Sequence, residues 1–242
     1  MFKVFSLSRA DYDAVLLDLD GVVTETAKIH AKCWKRLFDE YLGDNSFDIE
    51  RDYLMYVDGR PRYEGVKSFL ESREIFLSYG TPEDSPDTET VCGLGNKKNQ
   101  LFHEYLKNHE VEAYPDAIVF LRALKLAKFK TAVVSSSKNC EQVVRAAKLE
   151  DRFDTRVDGK DSECMGLHGK PDPDIFLEAA SRLNVQPHRS VVVEDAIAGV
   201  EAGKRGKFGF VIGMNRHDTS QILLEHGAHI VINSFNQIEV KS

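Results

Sequence analysis

The 242-residue sequence predicts an α/β fold, a doubly wound parallel sheet with a small helical domain inserted after an early strand. Three observations carry that expectation. The apolar runs "AVLLD", "KTAVVS" and "SVVVED" share one design, rich in leucine or β-branched residues and each followed by a helix-like segment. All three end in an acid or a hydroxyl, as strands do when their carboxyl ends meet a ligand. Between the first run and the second lies a stretch with helical, not strand, periodicity.

Taken in order, Ala14 to Leu17 form a strand with no polar face, suited to a sheet covered on both sides. Asp18 and Asp20 follow with one leucine between them, where desolvation is costly unless something positive meets them. They cap a turn, or they hold a cation and do chemistry. Ile29, Cys33, Trp34, Leu37, Phe38 and Tyr41 recur at helical spacing, as do Val66, Phe69 and Leu70, then Leu101, Phe102, Tyr105 and Leu106. The proline- and acid-rich "YGTPEDSPDTET" separates the last two as a loop. Residues 29–107 are therefore expected to be an inserted helical cap domain, with residues 1–28 and 108–242 forming the core domain. Pro115 opens a helix through Ile118, Leu121 and Leu124. "KPDPDIFLEAASRLN" gives another helix, "GFVIGM" a strand and "HIVINSF" a last strand.

Bulk properties narrow the setting. A net charge of -7 disfavours a nucleic-acid surface. No apolar run approaches the ~20 residues that span a bilayer, and "MFKVFSLSRADYD" lacks a signal-peptide core, so a cytoplasmic protein without membrane contact is expected. Cys33, Cys92, Cys140 and Cys164 have no metal-like spacing and read as free thiols.

The chemistry concentrates at the strand ends. In "DLDG" the spacing of two points both carboxylates the same way, and Gly21 permits a sharp exit from the strand. One carboxylate can attack while the other moves a proton. "VVSSSKN" places the Ser135 hydroxyl at a second strand end, where it suits a phosphate oxygen. "GKPDPDIF" places Lys170 before a helix start, and "VVVEDAIAG" supplies Glu194 and Asp195 for a hard cation such as Mg²⁺. Taken singly, Ser135 and Asp195 also fit helix caps and Lys170 a solvated lysine. Independent capping does not explain four such groups at one sheet edge.

This ordered set resembles the haloacid dehalogenase-like superfamily of phosphotransferases, and the helical insert resembles the cap of its β-phosphoglucomutase-like and sugar-phosphatase group. The resemblance implies that Asp18 is a nucleophile forming an aspartyl phosphate and Asp20 the general acid/base, its carbonyl on Mg²⁺. Ser135 and Lys170 would hold the transferring phosphoryl group, Asp195 would ligate Mg²⁺, and Glu194 would act in the same shell or through water. Thr26 and His30 match hinge positions that orient the general acid, and Ser137, Lys138 and Asn139 match positions for a distal phosphate or the sugar. "VDGRPRYEGV" resembles the cap's specificity loop: Gly59 and Arg62 match, Asp58 stands where the mutase carries lysine, and Arg60 is a nearby replacement charge. Lys97 and Lys98 are further candidates for a distal anion, against a plain reading as a solvated pair.

The implied activity is Mg²⁺-dependent phosphoryl transfer on a small sugar phosphate, with phosphatase-like hydrolysis favoured. The alternative is a β-phosphoglucomutase interconverting β-glucose 1-phosphate and glucose 6-phosphate, with β-glucose 1,6-bisphosphate as activator. A non-catalytic phosphate sensor is disfavoured by the intact Asp18, Asp20 and Asp195. The partner is a small phosphorylated metabolite, and a monomer is expected of an enzyme whose cap must open.

Overall fold

The computed structural model describes residues 5–44, 46–216 and 218–241. Residues 1–4 of the N-terminal stretch judged above lie outside the described residues. Six strands form one parallel sheet: β2 (Ala14–Leu17), β3 (Lys130–Val134), β4 (Thr155–Val157), β5 (Ser190–Glu194), β6 (Phe210–Met214) and β7 (Ile230–Ile232), in spatial order β4-β3-β2-β5-β6-β7. The chain moves outward from β2 to β4, then returns to place β5 on the other side of β2. That reversal opens a crevice at the carboxyl ends of β2 and β5.

Strand alternation explains why both sheet faces are covered. Val15 and Leu17 share one core with Val133, Val191 and Val193, roofed by Phe120, Leu121 and Leu124 of α4 (Pro115–Leu126). Ala14 and Leu16 join the opposite core with Ala132 and Val192, against Ile175 and Phe176 of α7 (Asp174–Arg182) and Val200 of α8 (Ile197–Arg205). The remaining core helices are α5 (Cys140–Ala146), α6 (Gly159–Met165) and α9 (Ser220–His226).

The helical segment between β2 and β3 contains α1 (Thr26–Leu42), α2 (Arg62–Glu71) and α3 (Val91–Asn108), with a single π-helical turn at Tyr53–Val57. Its aromatic stripe is core, as Phe38 packs on Phe69 with ring centroids 4.1 Å apart and Trp34 stacks on Phe38 at 5.5 Å. The chain enters and leaves this segment through two paired linkers. Glu25 N–H donates to the Glu112 carbonyl at 3.0 Å, Tyr114 N–H to that of Val23 at 2.9 Å, and Thr24 bridges Ala113 in antiparallel fashion. Arg216 staples the pair from the core: Nε donates to the Gly21 carbonyl at 2.7 Å and the guanidinium lies 3.7 Å from the Tyr114 ring centroid.

Three sequence expectations need correction. "HIVINSF" is not the last strand, because β8 (Ile238–Lys241) follows and pairs in parallel with β1 (Phe5–Ser8) as a separate two-stranded ribbon. In α4 Leu121 and Leu124 are buried as expected, together with Ala117 and Phe120, but Ile118 is 36% exposed at the edge of that face. Lys98 is not half of a solvated pair: it is buried, whereas Lys97 pairs with Glu40 at 3.2 Å on the surface. Among the described residues the four cysteines are free thiols, and no helix is long and apolar enough to cross a membrane.

Candidate active site

The register of the sheet brings the strand ends together. Leu17 pairs with both Val133 and Val193, so Asp18 is level with Val134 and Glu194, one residue short of Ser135 and Asp195. Gly21 turns the chain away at φ +84°, and a Cβ there would fall 1.8 Å from Asp195 Oδ2. Asp18, Asp20, Ser135 and Asp195 share a cavity of about 310 Å³, closed on the far side by Tyr53, Asp58 and the loop that follows.

Lys170 is the electrostatic centre. Its Nζ donates to Asp18 Oδ1 at 2.6 Å and to Glu194 Oε1 at 2.5 Å, and its side chain is fully buried. Burial opposes its charge, but the two carboxylates outweigh burial and hold the ammonium above its ordinary value. Asp18 goes the other way. Burial drives its pKa well up, Lys170 pulls it down, and Glu194 and Asp20 add repulsion. Asp195 is also raised well above its usual range, by burial first and then by Asp58 and Glu194.

Asp20 turns away from this cluster. It accepts a short hydrogen bond from Thr26 Oγ1, Ser135 Oγ donates to it at 3.3 Å, and His30 Nε2 lies 3.4 Å from Oδ1. Burial raises its pKa, but His30, Thr26 and Lys98 together bring it to about 2. Behind His30, Lys98 Nζ sits 2.5 Å from Nδ1 and over the Trp34 and Phe102 rings at 5.0 and 5.2 Å. Burial lowers Lys98 to about 8 and, with the Lys98 charge, also lowers His30. The His30 ring thus stands between Lys98, on its Nδ1 side, and Asp20, on its Nε2 side. Its position marks it as interior, because Leu94, Lys98, Leu101 and Phe102 form one buried stripe of α3.

The remaining candidates lie along one wall. Gly59, Arg60 and Arg62 line the cavity, and the Arg62 guanidinium stands 5.0 Å above the Tyr63 ring. Asp58 is buried, hydrogen-bonded by Tyr53, and raised to about 7 by burial and by Glu194 and Asp20. Ser137 Oγ accepts from Asn139 N–H at 3.1 Å, Asn139 Nδ2 donates to Asn99 Oδ1 at 2.8 Å, and Lys138 pairs with Glu163 at 2.6 Å. Tyr53, Ser136 and Arg216 were not singled out in the sequence. No spacing marks them, because each reaches the site through tertiary contact.

Asp18, Glu194 and Asp195 offer carboxylate oxygens within 4.8 Å of one another. An all-oxygen, buried, net-negative donor set fits a hard divalent cation of the Mg²⁺ type. Protein stability should report it. With the native pKa values of Asp18, Asp58 and Asp195 above their unfolded values, the native state binds more protons, so stability falls as pH rises from about 4 through 7 and beyond. Asp58 alone contributes about 1 kcal/mol between pH 6 and 8. The metal-free Tm is expected to drop about 3–5 °C over that interval, and saturating Mg²⁺ to remove most of the drop, as read by scanning calorimetry.

The comparisons with known proteins bear on the fold and the family. The sequence pattern of the haloacid dehalogenase-like hydrolases matches residues 12–207. The chain is 40% identical over 237 residues to a protein of Mycobacterium tuberculosis named β-phosphoglucomutase, covering 93% of this chain and 90% of that one. It is 30% identical to a phosphorylated carbohydrates phosphatase of Thermotoga maritima, covering 89% and 92%. The crystal structure of a β-phosphoglucomutase from Clostridium difficile superposes with a TM-score of 0.74 at 27% identity, covering 94% of this chain and 93% of the other. A family pattern that spans most of the chain and a relative at 40% identity over nearly its whole length agree with the parallel-sheet fold, and the chain belongs to the haloacid dehalogenase-like hydrolases.

Proposed function

We propose that the protein transfers the phosphoryl group of a small sugar phosphate through an aspartyl phosphate on Asp18. The observation that carries this reading is Lys170, wholly buried and bonded to both Asp18 and Glu194. A cation so placed offsets the repulsion between a nucleophilic carboxylate and a phosphate dianion. Asp18 Oδ attacks phosphorus as the bond to the leaving oxygen breaks, with Lys170 and Ser135 on the phosphoryl oxygens. Asp20, ionised at neutral pH, is set to take the proton of the next acceptor hydroxyl, and once protonated it can return that proton to a leaving group. Thr26 and His30, the latter backed by Lys98, fix its direction. Asp18, Asp195, the Asp20 carbonyl and, directly or through water, Glu194 would hold Mg²⁺, which would supply further positive charge against the phosphoryl oxygens. The segment 29–107 acts as the cap over this centre, and its Gly59, Arg60 and Arg62, with Ser137, Lys138 and Asn139 of the core, form the end that receives the rest of the substrate.

Water as the final acceptor gives a phosphatase, the reading favoured by Asp58 in the place of a lysine. A sugar hydroxyl as acceptor gives a β-phosphoglucomutase, supported by the 40% identity to a protein of that name and by the closure of the cap loop over Asp18. Incubation with β-glucose 1-phosphate, a trace of the 1,6-bisphosphate and Mg²⁺ separates them. Free phosphate in step with substrate loss is expected of a phosphatase, and glucose 6-phosphate without free phosphate of a mutase. Neither product from this or a panel of other sugar phosphates would remove the proposal.

A further inference from the structure

The loop that follows Asp58 touches the core at three points, each next in sequence to a residue of the site. Ser136, after Ser135, donates its hydroxyl to the Gly59 carbonyl at 2.7 Å. Gly59, at φ +69°, lies against Ala196, after Asp195, and a Cβ there would come 2.7 Å from that of Ala196. Pro61 packs on Gly169, before Lys170, where a Cβ would meet the proline ring at 2.1 Å. The second and third contacts are surfaces in van der Waals contact, without direction. The first is a directed bond from a fixed post: Gly159 lies close behind residues 136–138, and a Cβ there would sit 2.6 Å from the Ser136 carbonyl oxygen. Nearby, the Asn139–Asn99 hydrogen bond ties the same core loop to α3. With the loop seated, Asp18, Ser135 and Lys170 are only 6%, 1% and 2% exposed.

We propose that Ser136 is the positioning residue that latches this loop shut over Asp18, and that the latch decides whether the aspartyl phosphate passes to water or to a sugar hydroxyl. The inference rests on the reading of Asp18 as the phosphate carrier. Both outcomes follow one electron count. An acceptor oxygen bonds to phosphorus, the bond from phosphorus to Asp18 Oδ breaks with its electron pair returning to the carboxylate, and the acceptor proton goes to Asp20. They differ in what stands beside the phosphoryl group. A shut loop retains the sugar, whereas an open one exchanges it for water.

The test compares wild type with Ser136→Ala after phosphorylation of Asp18 by ³²P-labelled acetyl phosphate. Loss of one net hydrogen bond predicts decay of the labelled enzyme in water about three- to tenfold faster. The yield of bisphosphate with added glucose 6-phosphate should fall by a like factor, and hydrogen-exchange protection at residues 58–62 should drop, with Tm lowered by no more than about 2–4 °C. Ser136→Thr should restore all three, and Asn99→Ala, on the helical side, should act in the same direction as Ser136→Ala. Unchanged decay and partition overturn the proposal even if exchange rises, and unchanged exchange at 58–62 overturns the latch itself. If wild type takes up no label, the reading of Asp18 fails and acceptor choice with it. The exchange comparison still judges the latch in that case.

Discussion

Asp18→Asn is expected to remove turnover by at least about 10⁴-fold while leaving a folded, substrate-binding protein. The side chain has the same shape, so Lys170 keeps its bond to Glu194 and finds an amide oxygen where Asp18 Oδ1 stood. What disappears is the nucleophile, and with it covalent ³²P on the chain. The metal-free variant should be more stable than wild type above neutral pH, because one of the buried carboxylates with a raised pKa is gone. Residual turnover within tenfold of wild type, or retained label after the substitution, would mean that the phosphoryl group travels by another route.

Lys170→Met should be costly in two independent measurements. The ammonium faces Asp18 and Glu194 at 2.6 and 2.5 Å with its Nζ 4.9 Å from the Phe176 ring centroid, and no part of the side chain reaches solvent. Removing one partner from such a cluster leaves charges buried and unpaired, a loss of about 3–5 kcal/mol in the metal-free protein. The chemical step should slow by about 10²–10³-fold, the size seen when a fixed group that stabilises transition-state charge is deleted. Mg²⁺ should restore much of the Tm and little of the rate, since stability needs only positive charge while catalysis needs it at the phosphoryl oxygens. A variant with wild-type melting and wild-type kcat would show that Lys170 is a bystander. Arg in its place is no remedy, because the planar guanidinium cannot occupy the space of a point charge between two carboxylates.

The meeting of the strand ends was legible because a parallel sheet leaves little choice. Three apolar runs, each closed by an acid or a hydroxyl, place Asp18, Ser135 and Asp195 on one edge once the strands are in register. Lys170 was legible from its place before a helix start, though its complete burial was not. Lys98 could have been read from periodicity, since it holds an apolar position of α3 while Lys97 does not. Ser136 could not. Its neighbours Ser135 and Ser137 have the same chemistry, and only the approach of Gly59, distant in the chain, distinguishes it. The β1–β8 ribbon was also missed: "FSLS" and "IEVK" do alternate, but four residues are too few to separate from loop.

The paired linkers at Val23–Glu25 and Glu112–Tyr114 have a bearing on how such proteins diversify. Antiparallel neighbours stand only about 5 Å apart at Cα, so the whole intervening stretch could be excised and the ends rejoined by a tight turn. The doorway is narrow enough that evolution, or an engineer, can trade one roof for another without disturbing the floor. Such a graft is not neutral for the site, because His30 and Lys98 would leave with the old roof and take with them their support of the Asp20 carboxylate.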